Sequence, residues 1–314
     1  MQYLQPFGCT LRVERVTVKR AVAIASRAAR TLSSMNATRH LISAADLREV
    51  LAAVRVLDVR WRLDRPDGRP DYLAGHIPGA VYVDLDTELA DHGRPATEGR
   101  HPLPSVAALQ TAVRRWGIRR DRTVVLYDDV NNLSSARAWW MLRDAGLEDV
   151  RVLDGGLRAW RDAGYDLQTG DVTPTPGDIT LRRGVMPVLD LAGAAAFPDH
   201  GILFDARAGE RYRGEQEPVD PRAGHIPGAV SAPTTGNLDP DGRFLPPAVL
   251  RQRFLDLGLD PGAPVATYCG SGVTAAHEVL ALTLAGFEPA LYPGSWSEWS
   301  QHPELPVATG PDPR

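Results

Sequence analysis

The sequence predicts an α/β protein of two homologous domains, each a mainly parallel sheet flanked by helices. Three observations predict this class. Four stretches of the first half recur in the same order in the second half. Within each copy, short apolar runs alternate with segments of helical spacing, which favours parallel strands covered on both faces. A stretch rich in Gly, Pro and Thr separates the two copies.

The recurring stretches define the two copies. Their separation drifts slowly along the chain, as loop insertions of different length would cause. The pairs are AGHIPGAV at 74–81 and 223–230, VLDVR ending at Arg60 and LFDAR ending at Arg207, VVLYDD at 124–129 and VATYCG at 265–270, and LDGGLRAW ending at Trp160 and LYPGSWSEW ending at Trp299. Four matches in one order indicate a duplicated domain.

The second copy shows the elements in order. GILFDA (201–206) is a short apolar run and predicts a buried strand, and PVATYC (264–269) predicts the next one. AAHEVLALTLAG (275–286) has apolar residues at helical spacing and ends on Gly286, which suits the position just after a helix. EPALYPG (288–294) predicts a third strand.

Changes in composition divide the chain. We assign domain 1 to residues 37–167, a linker to 168–186 and domain 2 to 187–310. Residues 1–36 form an extension that we expect to be disordered. Its basic stretch LRVERVTVKRAVAIASRAARTLSSM resembles an amphipathic targeting peptide. The alternative, which we favour, is a start codon placed too early, with Met35 as the first residue.

Composition and charge exclude several functions. The net charge of −4 and the pI of about 6.1 disfavour nucleic-acid binding. No apolar run reaches the ~18 residues that span a bilayer, so we expect no membrane segment. Cys9 lies in the extension, so we expect a free thiol at Cys269 and a reducing, cytoplasmic location. Eight scattered histidines show no ligand spacing, and we expect neither a metal site nor a cofactor.

Cys269 lies where α/β sheets build their sites, at the carboxyl end of a predicted strand and before a predicted helix. Gly270 and Gly272 let the backbone turn tightly and point its N–H groups inward. Inward amides and the positive end of a helix dipole stabilise a thiolate, and would stabilise a persulfide anion in the same way. The alternative is a small buried core cysteine, which the flanking glycines disfavour.

The motifs CGSGVTA, the duplicated AGHIPGA and DGG…W together resemble tandem rhodanese-domain sulfurtransferases over residues 40–307. The resemblance implies a catalytic cysteine in domain 2 alone. Asp128 stands at the position in domain 1 that matches Cys269, and it cannot carry sulfane sulfur. Thiosulfate-preferring members carry two cations after the cysteine, where this chain has Gly270 and Ser271. The loop is more similar to that of 3-mercaptopyruvate sulfurtransferases.

The resemblance also implies site residues. Loop residues Gly270, Gly272, Val273 and Thr274 would bind substrate beside the nucleophile Cys269. A Ser-His-Asp set that assists proton movement would fall on Ser271, His101 and Asp86, which must then meet across the domain interface. A substrate arginine would be Arg211 in ERYRGE. A second normally follows in an E-P-R stretch; the chain has EPVDPRAGH instead, so either Arg222 replaces it or nothing does.

Several alternatives stay open. The activity could be thiosulfate:cyanide sulfurtransfer instead, or the chain could be a non-catalytic binding module. A phosphatase is disfavoured because Ala275 stands where that reaction needs an arginine. The HIPGA histidines, His76 and His225, are interpreted as fold elements, since both copies keep them. Expected partners are a small-molecule sulfur donor and a thiol, cyanide or thioredoxin-like acceptor.

Overall fold

A computed structural model describes residues 37 and 39–314 of the chain. The predicted extension, with Cys9 and Met35, lies outside the described residues. Across the part of the chain that is described, no helix combines the length and apolar character that crossing a bilayer requires.

Domain 1 contains a five-stranded parallel sheet in the order β1-β5-β4-β2-β3. Its strands are β1 (Leu41–Ile42), β2 (Arg55–Asp58), β3 (Val81–Tyr82), β4 (Val124–Tyr127) and β5 (Val150–Leu153). Its helices are α1 (Ala44–Val50), α2 (Arg69–Ala74), α3 (Leu85–Glu88), α4 (Val106–Arg115), α5 (Ser135–Asp144) and α6 (Gly156–Asp162), with a 3₁₀ turn at Ala96–Glu98. All four residues of β4 are buried, as expected for a strand covered on both faces.

Domain 2 repeats this plan with four parallel strands in the order β7-β6-β8-β9. The strands are β6 (Ile202–Asp205), β7 (Val230–Ser231), β8 (Val265–Tyr268) and β9 (Ala290–Leu291). The helices are α7 (Leu191–Ala196), α8 (Gly209–Tyr212), α9 (Pro247–Asp256), α10 (Thr274–Leu284) and α11 (Ser295–Trp299), with 3₁₀ turns at Phe197–Asp199 and Thr234–Asn237. The two-domain α/β prediction is therefore confirmed, and each strand predicted in the second copy is present.

The helix predicted after Cys269 ends as its sequence indicates. α10 stops at Leu284, and Gly286 takes a φ of +84°, which favours glycine. The amide of Phe287 donates to the carbonyl of Leu282 at 3.0 Å, so the exposed carbonyls at the helix end are partly satisfied.

The segment predicted as a linker packs against domain 1. Ile179 and Leu181 are buried, and the Ile179 carbonyl accepts from Arg114 of α4 at 3.1 Å. The amide of Leu181 donates to Gln110 of the same helix at 3.0 Å. The segment between the domains is therefore packed on domain 1, although it forms no regular secondary structure over most of its length.

The two domains share one apolar cluster, and each has a further cluster of its own. α5 of domain 1 packs directly on α10 of domain 2, and a single cluster of buried side chains runs through both. Trp139 and Trp140 on α5 are buried in this cluster. Because α5 and α10 each follow a strand-end loop, their contact brings the two equivalent loops to the same interface.

Candidate active site

Cys269 follows β8 directly, in the loop that leads into α10, and its side chain is 2% exposed. Its sulfur accepts the amide N–H of Gly272 at 3.2 Å. The cysteine's own amide donates to Ser295 Oγ at 3.1 Å. Gly272 has a φ of +76°, and a Cβ there would lie 2.3 Å from the carbonyl oxygen of Pro293. Only glycine suits this position, so the turn that points an amide at the sulfur depends on it.

A cavity of about 310 Å³ opens beside Cys269. Four of the predicted loop residues line it: Gly270, Ser271, Val273 and Thr274. Gly272 does not line it and acts through its N–H. Both domains contribute the remaining walls, which include Trp61, Leu63 and Arg100 from domain 1 and Arg207, Arg211 and Thr234 from domain 2. The sulfur of Cys269 therefore lies at a site that neither domain forms alone.

Ser271, His101 and Asp86 meet at this interface. His101 Nδ1 lies 2.8 Å from Ser271 Oγ, and His101 Nε2 lies 3.5 Å from Asp86 Oδ1. The Trp61 indole N–H donates to the same Asp86 oxygen at 3.0 Å. The serine comes from domain 2, and the histidine and aspartate come from domain 1. The structure brings together the three residues that the family resemblance grouped, in the order hydroxyl, imidazole, carboxylate.

The protonation states of His101 and Asp86 follow from their surroundings. Burial lowers the pKa of His101, which keeps the imidazole neutral at neutral pH. The hydrogen bond from His101 lowers the pKa of Asp86, which keeps the carboxylate ionised. A neutral imidazole that donates from Nε2 to Asp86 can accept the Ser271 hydroxyl proton at Nδ1. The arrangement is therefore ready to move a proton to or from the loop.

Two arginines lie over the cysteine loop. A Cβ built on Gly270 would lie 3.3 Å from Arg211 Nη1 and 3.6 Å from Arg100 Nη2. Arg211 donates to Glu217 at 2.6 Å and to Asp220 at 3.1 Å, and Arg100 donates to Asp220 at 2.8 Å. Arg211 was predicted from the sequence, whereas Arg100 was not. The only feature of the sequence that pointed to Arg100 was its position directly before His101.

The structure does not bring Arg222 to the cavity. Its guanidinium donates to four backbone carbonyls near the end of domain 2, at 2.7–3.1 Å. The acceptors are the carbonyls of Trp299, Ser300, His302 and Leu305. This arginine therefore secures the C-terminal segment. The alternative in which nothing replaces the family's second arginine at that place agrees with this geometry, and Arg100 supplies a cation from domain 1 instead.

Arg137 is a second residue that the sequence did not reveal. It lies on α5 and is fully buried. Its guanidinium donates to the carbonyls of His101 at 2.8 Å, Leu89 at 3.2 Å and, across the interface, Gly272 at 3.2 Å. Burial lowers the pKa of Arg137 to about 10, and the nearby Cys269 acts in the opposite direction. Arg137 thus joins the cysteine loop to the histidine and brings a positive charge close to both.

The HIPGA histidines behave as fold elements. His76 Nδ1 lies 2.8 Å from the Tyr72 carbonyl, and the two rings stack with centroids 4.1 Å apart. His225 makes the same contacts with Tyr212, at 2.8 Å and 3.7 Å. Neither histidine lines the cavity beside Cys269.

Comparison with known proteins places this two-domain α/β architecture in a family. The model of the rhodanese-like domain matches residues 43–163 and again 190–302. The chain is 51% identical to SseB of Mycobacterium tuberculosis, named as a thiosulfate sulfurtransferase, over 86% of this chain and 97% of that protein. It is 50% identical to a Pseudomonas aeruginosa protein named as a 3-mercaptopyruvate sulfurtransferase, over 81% and 92%.

Solved structures agree with these sequence relatives. SseA of Escherichia coli, a 3-mercaptopyruvate sulfurtransferase of rhodanese fold, matches with a TM-score of 0.71 and 33% identity, over 82% of this chain and 98% of that one. Tum1 of Saccharomyces cerevisiae matches with a TM-score of 0.76 and 27% identity, over 87% and 99%. The fold and site define a two-domain sulfurtransferase. The chain belongs to the rhodanese-like family.

Proposed function

We propose that this enzyme takes sulfur from 3-mercaptopyruvate, carries it as a persulfide on Cys269 and delivers it to a thiol, cyanide or thioredoxin-like acceptor. Domain 2 would be the catalytic domain, and domain 1 would complete the site. The names of relatives do not decide the donor, since two relatives of nearly equal identity are named for different donors. The observation that carries the proposal is the series of side-chain contacts that joins Ser271 to His101 and His101 to Asp86 beside the cysteine loop.

The chemistry of each donor explains why the contacts among Ser271, His101 and Asp86 matter. When the Cys269 thiolate attacks the sulfur of 3-mercaptopyruvate, an S–S bond forms and the S–C bond breaks. The electron pair of that bond leaves as the pyruvate enolate, and the donor's thiol proton must end on its carbon. His101 and Ser271 can carry this proton. Thiosulfate instead releases sulfite, a stable anion that needs no proton. A proton relay is therefore useful for the organic donor.

In the second step the acceptor restores the enzyme. An acceptor thiolate attacks the outer sulfur of the Cys269 persulfide, a new S–S bond forms, and the Cys269 thiolate leaves. Two half-reactions of this kind predict ping-pong kinetics. The free thiol at Cys269 supports a reducing compartment, and we propose a cytoplasmic location for the enzyme.

The charge around the cavity favours a donor with one negative charge. Arg100 and Arg211 can hold a carboxylate through paired hydrogen bonds. Glu217 and Asp220 already bind these two guanidiniums. Two cations matched by two carboxylates leave little net positive charge for a dianion such as thiosulfate. The mercaptopyruvate monoanion needs less positive charge at the cavity than a dianion does.

The deciding experiment measures kcat/KM for both donors in the wild type and in His101→Gln. We expect the wild type to favour 3-mercaptopyruvate. Loss of the relay should reduce turnover of that donor by roughly a hundredfold or more, and should change thiosulfate turnover far less. An equal loss for both donors would contradict the proton-relay argument. A strong wild-type preference for thiosulfate would instead favour the thiosulfate:cyanide reaction.

The carboxylate contact has a matched control. Arg211→Ala should lower kcat/KM for 3-mercaptopyruvate by roughly ten- to a hundredfold, because it removes a charge-assisted contact. Arg213→Ala, two positions away, removes an exposed arginine paired with Glu215 and should change nothing. Equal behaviour of the two variants would remove Arg211 from the substrate site.

A further inference from the structure

Three side chains that can bind a metal ion lie together beside the active site. The ligand atoms of Asp86, His92 and His101 are all within 4.8 Å of one another. Asp86 Oδ1 is 3.5 Å from His101 Nε2 and 3.6 Å from His92 Nε2. Tetrahedral zinc with bonds of about 2.0–2.1 Å places its ligand atoms about 3.3 Å apart. Two of the three spacings already match, and the third closes by rotation of the exposed His92.

The surroundings of these residues also suit a metal site. Histidine ligands usually make a second hydrogen bond through the other ring nitrogen, and His101 Nδ1 lies 2.8 Å from Ser271 Oγ. The Trp61 N–H holds the Asp86 carboxylate at 3.0 Å. His92 also lines a second cavity of about 320 Å³, which gives an ion a path from solvent and leaves room for water as the fourth ligand.

We propose that Asp86, His92 and His101 form a zinc-binding site, and that zinc bound there reversibly inhibits the enzyme. The ion would occupy His101 Nε2 and an Asp86 oxygen, and would disconnect the imidazole from the carboxylate that orients it. The binding stands on its own geometry, whereas the inhibition rests on the proposed relay through His101. The expectation of no metal site came from spacing along the chain. Only folding brings these three residues together.

The binding is tested first without the reactive sulfur. Isothermal titration of metal-free Cys269→Ser protein with zinc chloride should show one ion bound per chain. His92→Ala in the same background should weaken zinc affinity by roughly tenfold or more. His200→Ala, which removes an exposed histidine of domain 2, should leave it unchanged. Zinc that binds the wild type but not Cys269→Ser would assign the metal to the thiolate and overturn the proposal.

The inhibition is tested in the active enzyme. Zinc should suppress turnover of the wild type, and a chelator should restore it. His92→Ala should leave turnover without zinc unchanged and should require roughly tenfold more zinc for the same inhibition. An unchanged zinc response in His92→Ala would refute the inhibitory site. Zinc binding in Cys269→Ser that depends on His92, combined with no inhibition of the wild type, would keep the metal site and reject the proton relay.

Discussion

The loop after β4 in domain 1 and the loop after β8 in domain 2 are equivalent, but a different anion-forming group occupies each one. Asp128 is fully buried and accepts four amide N–H groups, from Val130, Asn132, Ser134 and Ser135, at 2.8–2.9 Å. Cys269 at the matching place accepts one, from Gly272, at 3.2 Å.

The two equivalent loops hold different groups and serve different purposes. A strand-end loop followed by a helix is suited to hold an anion. In domain 1 the protein's own carboxylate occupies the loop permanently, so the loop is a structural element. In domain 2 the sulfur of Cys269 occupies it, beside a cavity of about 310 Å³. Domain 1 has Asp128 at the place of Cys269, and it supplies side chains around the Cys269 loop, namely His101, Asp86, Arg100 and Arg137.

The largest expected effect comes from making the two loops alike. Cys269→Asp should abolish sulfur transfer, because a carboxylate cannot form the S–S bond of the intermediate. Turnover with each donor and the intact mass after donor treatment test this. The wild type should gain the mass of one sulfur atom and the variant should gain none. Cys269→Ser is the control with a smaller side chain, and turnover by that variant would end the persulfide mechanism.

The converse change tests the structural half of the comparison. Asp128→Ala should lower the free energy of unfolding by at least about 3 kcal/mol, because it leaves four buried amides without their charged acceptor. Cys269→Ala should cost only about 1 kcal/mol. Urea unfolding followed by tryptophan fluorescence compares the two. If both variants lose the same stability, the Asp128 carboxylate does not organise its loop.

Much of the fold could be predicted from the sequence because its signals are local. The apolar run 264–269 becomes β8, and Gly286 lies just past the end of α10. The packing of the predicted linker could not be predicted in this way. Ile179 and Leu181 are two apolar residues in a polar segment, and only their burial against α4 shows what they do.

The site could be predicted only where a local motif carried it. Cys269 and its glycines form such a motif, and the resemblance grouped Ser271, His101 and Asp86. Arg100 and Arg137 were missed because the chain has 35 basic residues, and no sequence pattern shows which guanidinium is buried at an interface. Arg222 was one of two alternatives that the sequence left open. It lies at a suitable point in the chain, but nearby carbonyls bind its side chain.

A smaller effect is expected at the helix that follows each loop. Both helices bury a charged residue: Arg137 on α5 reaches into domain 2, whereas Glu278 on α10 binds Asn237 and Arg253 of its own domain. Arg137→Met should lower kcat/KM by roughly ten- to a hundredfold, because a charge-assisted tie between Gly272 and His101 is lost. It should also slow alkylation of Cys269 at neutral pH, because a nearby positive charge favours the reactive thiolate.

Arg137→Lys separates charge from geometry. It keeps the charge but loses the planar fork, so the alkylation rate at neutral pH should recover more than kcat/KM does. Arg143→Met, on the same helix, is the matched control, since Arg143 donates only to carbonyls near the end of its own helix. A changed melting temperature with an unchanged alkylation rate at neutral pH would make Arg137 purely structural.

The smallest effect is a pH dependence that domain 2 owes to Glu278. Burial raises the pKa of Glu278 to about 7, above its ordinary value of about 4.5. Between these values the folded protein keeps a proton that the unfolded chain releases, so stability is highest at the acidic end and falls as pH rises to 7. Glu278→Gln should remove about 2 kcal/mol of this decline, since glutamine does not titrate. Urea unfolding at pH 5 and pH 8 measures it. An equally steep decline in the variant would show that Glu278 is ionised throughout and held so by Arg253.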